Sequence, residues 1–140
     1  MATEDCIFCG IVTGEIDAEI VLEGESTLAF LDHRPLFPGH VLLVPREHHE
    51  TIEDLPPELV EPLFADGRRL AGAVRTAMGS QGTFMGVNNV VSQSVPHLHV
   101  HIVPRTRKDG LRGFFWPRNP YESPEHMAET AERIRRALGS

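Results

Sequence analysis

Three histidines stand at every second position in His97-Leu98-His99-Val100-His101-Ile102-Val103, and the residues between them are aliphatic. Side chains alternate across a β-strand, so this spacing sends His97, His99 and His101 to one face and Leu98, Val100 and Ile102 to the other. Such a strand needs an apolar layer on one side of its sheet and a polar site on the other. A lone histidine on a strand is usually a surface residue or a satisfied core residue. Three at strict alternation, backed by three aliphatic residues, point to chemistry. Ligation of zinc or another transition metal is the chemistry that alternating histidines most directly offer.

The rest of the 140 residues reads as one domain around that strand. The segment through Glu19 is short and turn-rich. Ile20 to Leu22 and Thr27 to Leu31 read as strands around the turn Glu23-Gly24-Glu25-Ser26. A Pro/Gly-marked loop, Asp32 to Gly39, leads into a third strand, His40 to Pro45. Leu55 to Met78 reads as the main helix. Pro56 and Pro57 suit its first turn, Gly79 its stop, and Leu59, Leu63, Leu70 and Val74 its apolar face. Thr83 to Val87 and Leu98 to Val103 complete the strands. A last helix starts near Ser123-Pro124 with Met127, Ala131, Ile134 and Leu138 as its buried stripe. This order favours an α+β sheet with helices packed on it.

Charge narrows the partners. Lys and Arg total 13 against 20 Asp and Glu, a net charge of −7. An acidic chain is a poor ligand for a nucleic-acid polymer, whose binding rests on neutralising phosphates. Phosphate, if handled, is handled at a local site. No apolar run is long enough for a membrane span. The acidic start Met1-Ala2-Thr3-Glu4-Asp5 lacks an export signal, which sets the cytoplasm as the expected compartment. Both cysteines lie in Cys6-Ile7-Phe8-Cys9, a spacing that suits a metal or redox site better than a scaffold disulfide.

His-x-His-x-His followed by two apolar residues resembles the signature of the histidine-triad (HIT) superfamily. Cys6-Ile7-Phe8-Cys9, Leu28-Ala29-Phe30-Leu31-Asp32, Pro38-Gly39-His40-Val41-Leu42-Leu43-Val44-Pro45 and Gln93-Ser94-Val95 resemble its further landmarks, in the same order, so the likeness runs from Cys6 to Arg105. It implies an α+β fold on an antiparallel sheet, with a long helix and a C-terminal helix packed on it. It also implies a homodimer that binds purine nucleotides and transfers or hydrolyses nucleotidyl groups.

The resemblance assigns roles residue by residue. His99 matches the nucleophile, with the backbone carbonyl of His97 holding its attacking tautomer. His101 matches the phosphate or leaving-group contact, expected to act as a protonated imidazole. Gln93 and Ser94 match phosphate and leaving-atom contacts, and Asp32 matches the ribose acid. Ile7, Phe8 and Phe30 match base contacts, although by sequence alone they read as core. Asn88 matches a further nucleotide contact, with Asn89 as its alternative. His33 stands where the family often has an apolar base contact. Bacterial members with this Cys-x-x-Cys hold structural zinc, which here implies Cys6, Cys9, His48 and His97 as ligands, with His49 competing for the place of His48. No cofactor is implied for catalysis. Histidine rather than glutamine at the third triad position argues for hydrolysis over transfer.

Departures cluster before the triad. The run Asn88-Asn89-Val90-Val91-Ser92-Gln93 is shorter than the family pattern, and Ser92 replaces a glycine. Serine there keeps its N–H available provided the loop accepts a negative φ. After Arg105, the segment 106–118 reads as a solvated loop plus hydrophobic plug. Its sharper reading puts Arg107 or Lys108 on distal phosphates and Trp116 near the pocket. The expected substrates are dinucleoside polyphosphates, adenosine phosphoramidates or other adenylated small molecules. Two rivals are a non-catalytic nucleotide sensor and a metalloenzyme that ligates metal through all three triad histidines.

Overall fold

A computed structural model describes residues 5–111 and 118–139 of the chain. Its elements are helix α1 (Ile7–Thr13), strands β1 (Ile20–Glu23), β2 (Thr27–Leu31) and β3 (Val41–Pro45), a short 3-10 turn (Ile52–Asp54), helix α2 (Pro57–Met78), strands β4 (Gly82–Val87) and β5 (Val100–Arg105), and helix α3 (Pro124–Leu138). The five strands form one sheet in the order β1-β2-β3-β5-β4, and every neighbouring pair is antiparallel. The α+β antiparallel expectation holds.

Alternation along the strands sorts the core into two layers. Ala29, Val41, Leu43, Leu98, Val100 and Ile102 face α2 and pack with its Leu63, Leu70 and Val74. Leu28, Phe30, Leu42 and Val44 face the other way and pack with Cys6, Phe8 and Cys9 at the start of the chain. Register carries this layer into β5: Phe30 pairs with Leu42, Leu42 with His101, and His101 with Gly86. The site face is therefore a continuous row across four strands. Thr27 is buried at the end of β2 because its hydroxyl donates to Asp66 of α2 at 2.6 Å.

Helix α1 corrects the turn-rich expectation for the first segment. Ile and Val give it weak intrinsic propensity, which hides it in the sequence. Its ends supply what propensity lacks. The Cys6 sulfur accepts from Cys9 N at 3.3 Å as an N-cap, and Gly14 closes the helix at φ 86°. Helix α2 starts at Pro57 rather than Leu55, after the 3-10 turn, and stops at Gly79 with φ 64° as expected.

The described residues fall into two compact units, one ending at Arg107 and the other beginning at Lys108. In the second, Ser123 caps α3 by accepting from His126 N. The expected buried stripe on α3 is corrected: no residue of this helix is buried, and Met127, Ile134 and Leu138 are more than half exposed. An apolar spacing specifies a stripe but not the surface that covers it. Arg107 and Lys108 are exposed, and Arg107 bonds through its backbone N–H to Gln81. Trp116 lies outside the described residues.

Candidate functional site

The strand begins at Val100 rather than Leu98, so His97 and His99 stand just before it and His101 within it. Leu98, Val100 and Ile102 nevertheless share one layer, as the alternation foresaw, and each imidazole has its own partners. His97 is wholly buried and His99 nearly so, while His101 is half-buried. The His97 ring places Nε2 at 2.9 Å from the Pro45 carbonyl. A carbonyl only accepts, so Nε2 carries the proton and the Nδ1 lone pair faces the cysteines. His99 places Nδ1 at 2.7 Å from the His97 carbonyl, the acceptor that the resemblance implied. Its proton is thereby fixed on Nδ1, and Nε2 is left as the nucleophilic nitrogen. Phe8 meets the His99 ring edge to face at 5.0 Å, and the His101 ring lies 4.9 Å from it.

Burial is the leading cause of the low basicity of these rings. It pushes His97 and His101 down to about 4 and lowers His99. For His101, the neighbouring His99 and His40 add to the effect, and Asp32 opposes it. Burial therefore favours a neutral His101 where the resemblance implied an imidazolium on the phosphate.

His40 is the residue that sequence reasoning left without a role. It is buried, and its Nε2 lies 3.0 Å from His101 Nδ1. The signal was an imidazole at the head of an otherwise apolar strand, directly after Pro38-Gly39.

A second cluster lies on the other side of His97. Cys6 Sγ and Cys9 Sγ are 3.3 and 3.6 Å from His97 Nδ1, and Cys9 Sγ is 3.3 Å from His48 Nδ1. The four ligand atoms all lie within 4.8 Å of one another. Tetrahedral zinc at roughly 2.0–2.3 Å from its ligands separates them by about 3.3–3.8 Å, so the spacing and the two-sulfur, two-nitrogen donor set both fit. His49 is engaged elsewhere: its ring meets Glu47 at 3.1 Å and its carbonyl accepts from Leu98 N. That separates the two candidates in favour of His48. Burial pushes the Cys6 thiol up, so a metal arriving here must displace its proton.

The loop between β4 and β5 is held tightly. Gln93 accepts from Val90 N at 2.9 Å and donates to the Glu50 carbonyl at 2.6 Å, and Asn89 accepts from Ile52 N. The Gln93 amide is thus engaged as a brace of the loop. Ser94 is exposed, and Asn88 follows directly on β4. Ser92 takes φ 64°, so the condition of a negative φ is not met: the serine adopts the left-handed backbone that glycine would. Asp32 follows directly on β2, with one carboxylate oxygen accepting from Arg34 N. Phe8 and Phe30 are buried against each other, whereas Ile7 is exposed.

The chain is similar to known proteins in sequence and fold. The HIT domain matches residues 13–108. The adenosine 5′-monophosphoramidase hnt1 of Schizosaccharomyces pombe is 36% identical over 131 residues, covering 92% of this chain and 95% of that one. The crystal structure of a HIT family member from Bacillus subtilis superposes with a TM-score of 0.89 at 34% identity, covering 98% and 99% of the two chains. A zinc-bound histidine triad family protein from Mycobacterium smegmatis superposes with a TM-score of 0.73 at 32% identity, covering 97% and 98%.

Proposed function

Since this chain belongs to the HIT domain family, we propose that it hydrolyses nucleoside phosphoramidates or phosphoanhydrides through a nucleotidyl-His99 intermediate. The observation that carries the reading is the 2.7 Å contact from His99 Nδ1 to the His97 carbonyl. It fixes the proton on one nitrogen and presents the other as a lone pair. Low basicity from burial keeps that lone pair free at neutral pH.

In the first step Nε2 bonds to the α-phosphorus and the bond to the departing amine or phosphate breaks. The leaving group takes a proton from solvent, and the attacking water of the second step returns one. The positive charge on the nucleotidylated ring is shared with the His97 carbonyl through Nδ1–H. Water then attacks phosphorus, the Nε2–P bond breaks, and the nucleoside monophosphate leaves with His99 restored. His101 donates an N–H to the phosphate oxygens, Ser94 serves the leaving atom, and Gln93 holds the loop that carries Ser94. Asp32 accepts from ribose hydroxyls, while Ile7, Phe8, Phe30 and Asn88 bound the base. The S. pombe relative's phosphoramidase activity supports the substrate class. A purine nucleotide or dinucleoside polyphosphate ligand, a homodimeric state and cytoplasmic work belong to the same proposal. The two free, buried thiols suit a reducing compartment.

Cys6, Cys9, His48 and His97 would hold structural zinc, which supplies folding energy and no chemistry to the reaction. The triad-as-ligand reading is disfavoured because His97 has no ring nitrogen to spare for it: Nε2 meets the Pro45 carbonyl and Nδ1 faces Cys6 and Cys9.

The test is AMP release from adenosine 5′-phosphoramidate by the wild type and His99→Ala, with and without a chelator. Turnover by the wild type alone, insensitive to chelation, is the expected result. Binding without turnover in both proteins would replace the hydrolase by a nucleotide sensor.

A further inference from the structure

His40 stands in a turn whose geometry leaves its ring one choice. The Phe37 carbonyl accepts from His40 N at 3.0 Å, with Pro38 and Gly39 between them and Gly39 at φ 98°. This is the Pro-Gly pattern of a type II turn. Gly39 is required twice over, since a Cβ there would also meet the Met78 side chain at 2.6 Å. The His40 carbonyl in turn accepts from Asp32 N at 2.9 Å. Held at both backbone ends, the ring folds back so that its Nδ1 accepts from Leu36 N at 3.1 Å.

A nitrogen that accepts from a backbone N–H carries no proton of its own. The His40 proton is therefore on Nε2, which lies 3.0 Å from His101 Nδ1. Asp32 does not upset this: its Oδ2 is 3.8 Å from His40 Nδ1, beyond hydrogen-bond reach. Two neutral imidazoles bond only as donor and acceptor. His101 Nδ1 must then be the acceptor, and its own proton is on Nε2.

We propose that His40 is a positioning residue: by donating to His101 Nδ1 it makes a neutral His101 present Nε2–H to the reacting phosphate. The chain of command runs from a backbone amide, Leu36 N–H, through two rings to the phosphate. It supplies a preset donor without the cost of protonating a buried ring. The low basicity of both rings accords with this. The catalytic part rests on the hydrolase reading above, whereas the tautomer part stands on geometry alone.

Two isosteric changes separate the bonds. In His40→Asn the side-chain oxygen sits at the level of Nδ1, so it keeps the Leu36 bond and loses His101. In His40→Gln the amide nitrogen sits at the level of Nε2 and keeps the donor to His101. The His101 tautomer is read from long-range 1H–15N correlations of the imidazole rings in the full-length protein, and turnover with adenosine 5′-phosphoramidate. We expect Nε2–H on His101 in the wild type and His40→Gln, and a shift toward Nδ1–H in His40→Asn. The Asn variant should lose about tenfold in kcat with KM changed less than about threefold, a fraction of the 10²–10³ that a lost donor costs. The Gln variant should stay within about threefold of wild type. An Nδ1–H wild type, or an unchanged tautomer in His40→Asn, overturns the proposal whatever turnover does. A shifted tautomer with unchanged kcat overturns the positioning role. A wild type without phosphoramidase activity refutes the hydrolase reading instead, and the tautomer comparison still decides what His40 does.

Discussion

The loop that precedes the triad stores backbone strain that two glycines should release. Val90 has φ 69° and its neighbours close a three-residue turn over it, Val91 N donating to the Asn89 carbonyl at 2.8 Å. A γ-turn with positive φ is rare and strained, and a β-branched residue is ill suited to it. The next turn closes from Gln93 N to the Val90 carbonyl, with Ser92 at φ 64° in the position where glycine is usual. Each non-glycine residue in such a conformation costs about 1–2 kcal/mol. Glycine removes that cost but adds about 0.4–1 kcal/mol of unfolded-chain entropy. Val90 and Ser92 are both exposed, so little packing is lost. Val90→Gly with Ser92→Gly is expected to gain about 1–2 kcal/mol, or about 3–6 °C in Tm for a chain of this size. Thermal melts by circular dichroism, with urea titration as a second probe, measure it. An unchanged or lowered Tm for the double variant would refute the argument from φ. If Gln93 braces the loop as described, Gln93→Ala in the double-glycine background should lower AMP release more than in the wild-type background.

Three further outcomes follow. Leu43→Ala, at a fully buried site in the middle of the sheet, should cost about 2–5 kcal/mol in urea unfolding without a change of fold. His101 is held neutral, at about 4 in the fold against an ordinary value near 6.5, by burial with His99 and His40 nearby and Asp32 opposing. The unfolded chain thus takes up this proton first, and the stability present above pH 6.5 is lost as pH falls toward 4. His101→Gln should shrink the stability difference between pH 7 and pH 5 by about 1 kcal/mol after allowing for solvent screening, readable by urea titration at both pH values. Stripping zinc with a strong chelator should lower Tm, by the equivalent of about 4 kcal/mol when zinc exceeds its Kd a thousandfold. Cys9→Ser should abolish that metal-dependent part, as metal analysis and melting of the same samples would reveal.

Much of this site could be read directly. Strict alternation announced which face carries the histidines, and the packing of Leu98, Val100 and Ile102 in the layer against α2 agrees, because period-two placement is a local property of extended chain. The cysteine pair announced a metal or redox site for the same reason: two residues lie close in sequence and their partner set is chemically narrow. What was hidden depends on contacts across the chain. The Cys6 sulfur as a helix cap shows only once Cys9 N is placed. The choice of His48 over His49 turns on which ring meets Cys9 and which meets Glu47. The neutrality of His101 is a matter of burial, which a single sequence does not report. His40 needed the turn at Pro38-Gly39 to be closed before its ring nitrogens could be told apart. The α3 stripe misled because amphipathic spacing is local and its cover is not.

Chemistry on both sides of β5 also governs which changes in length the gene can absorb. Deleting or inserting one residue within 97–103 would invert the faces of the residues on one side of the change relative to the other, turning aliphatic side chains toward the site and histidines toward the layer under α2. No compensating substitution at a single position repairs that inversion. The adjoining loop, by contrast, is fastened at Gln93 and Asn89 and exposes Val90 and Val91 between them. Insertions and deletions should therefore accumulate between Asn89 and Gln93, so that this loop varies in length while the histidine-bearing strand keeps its own.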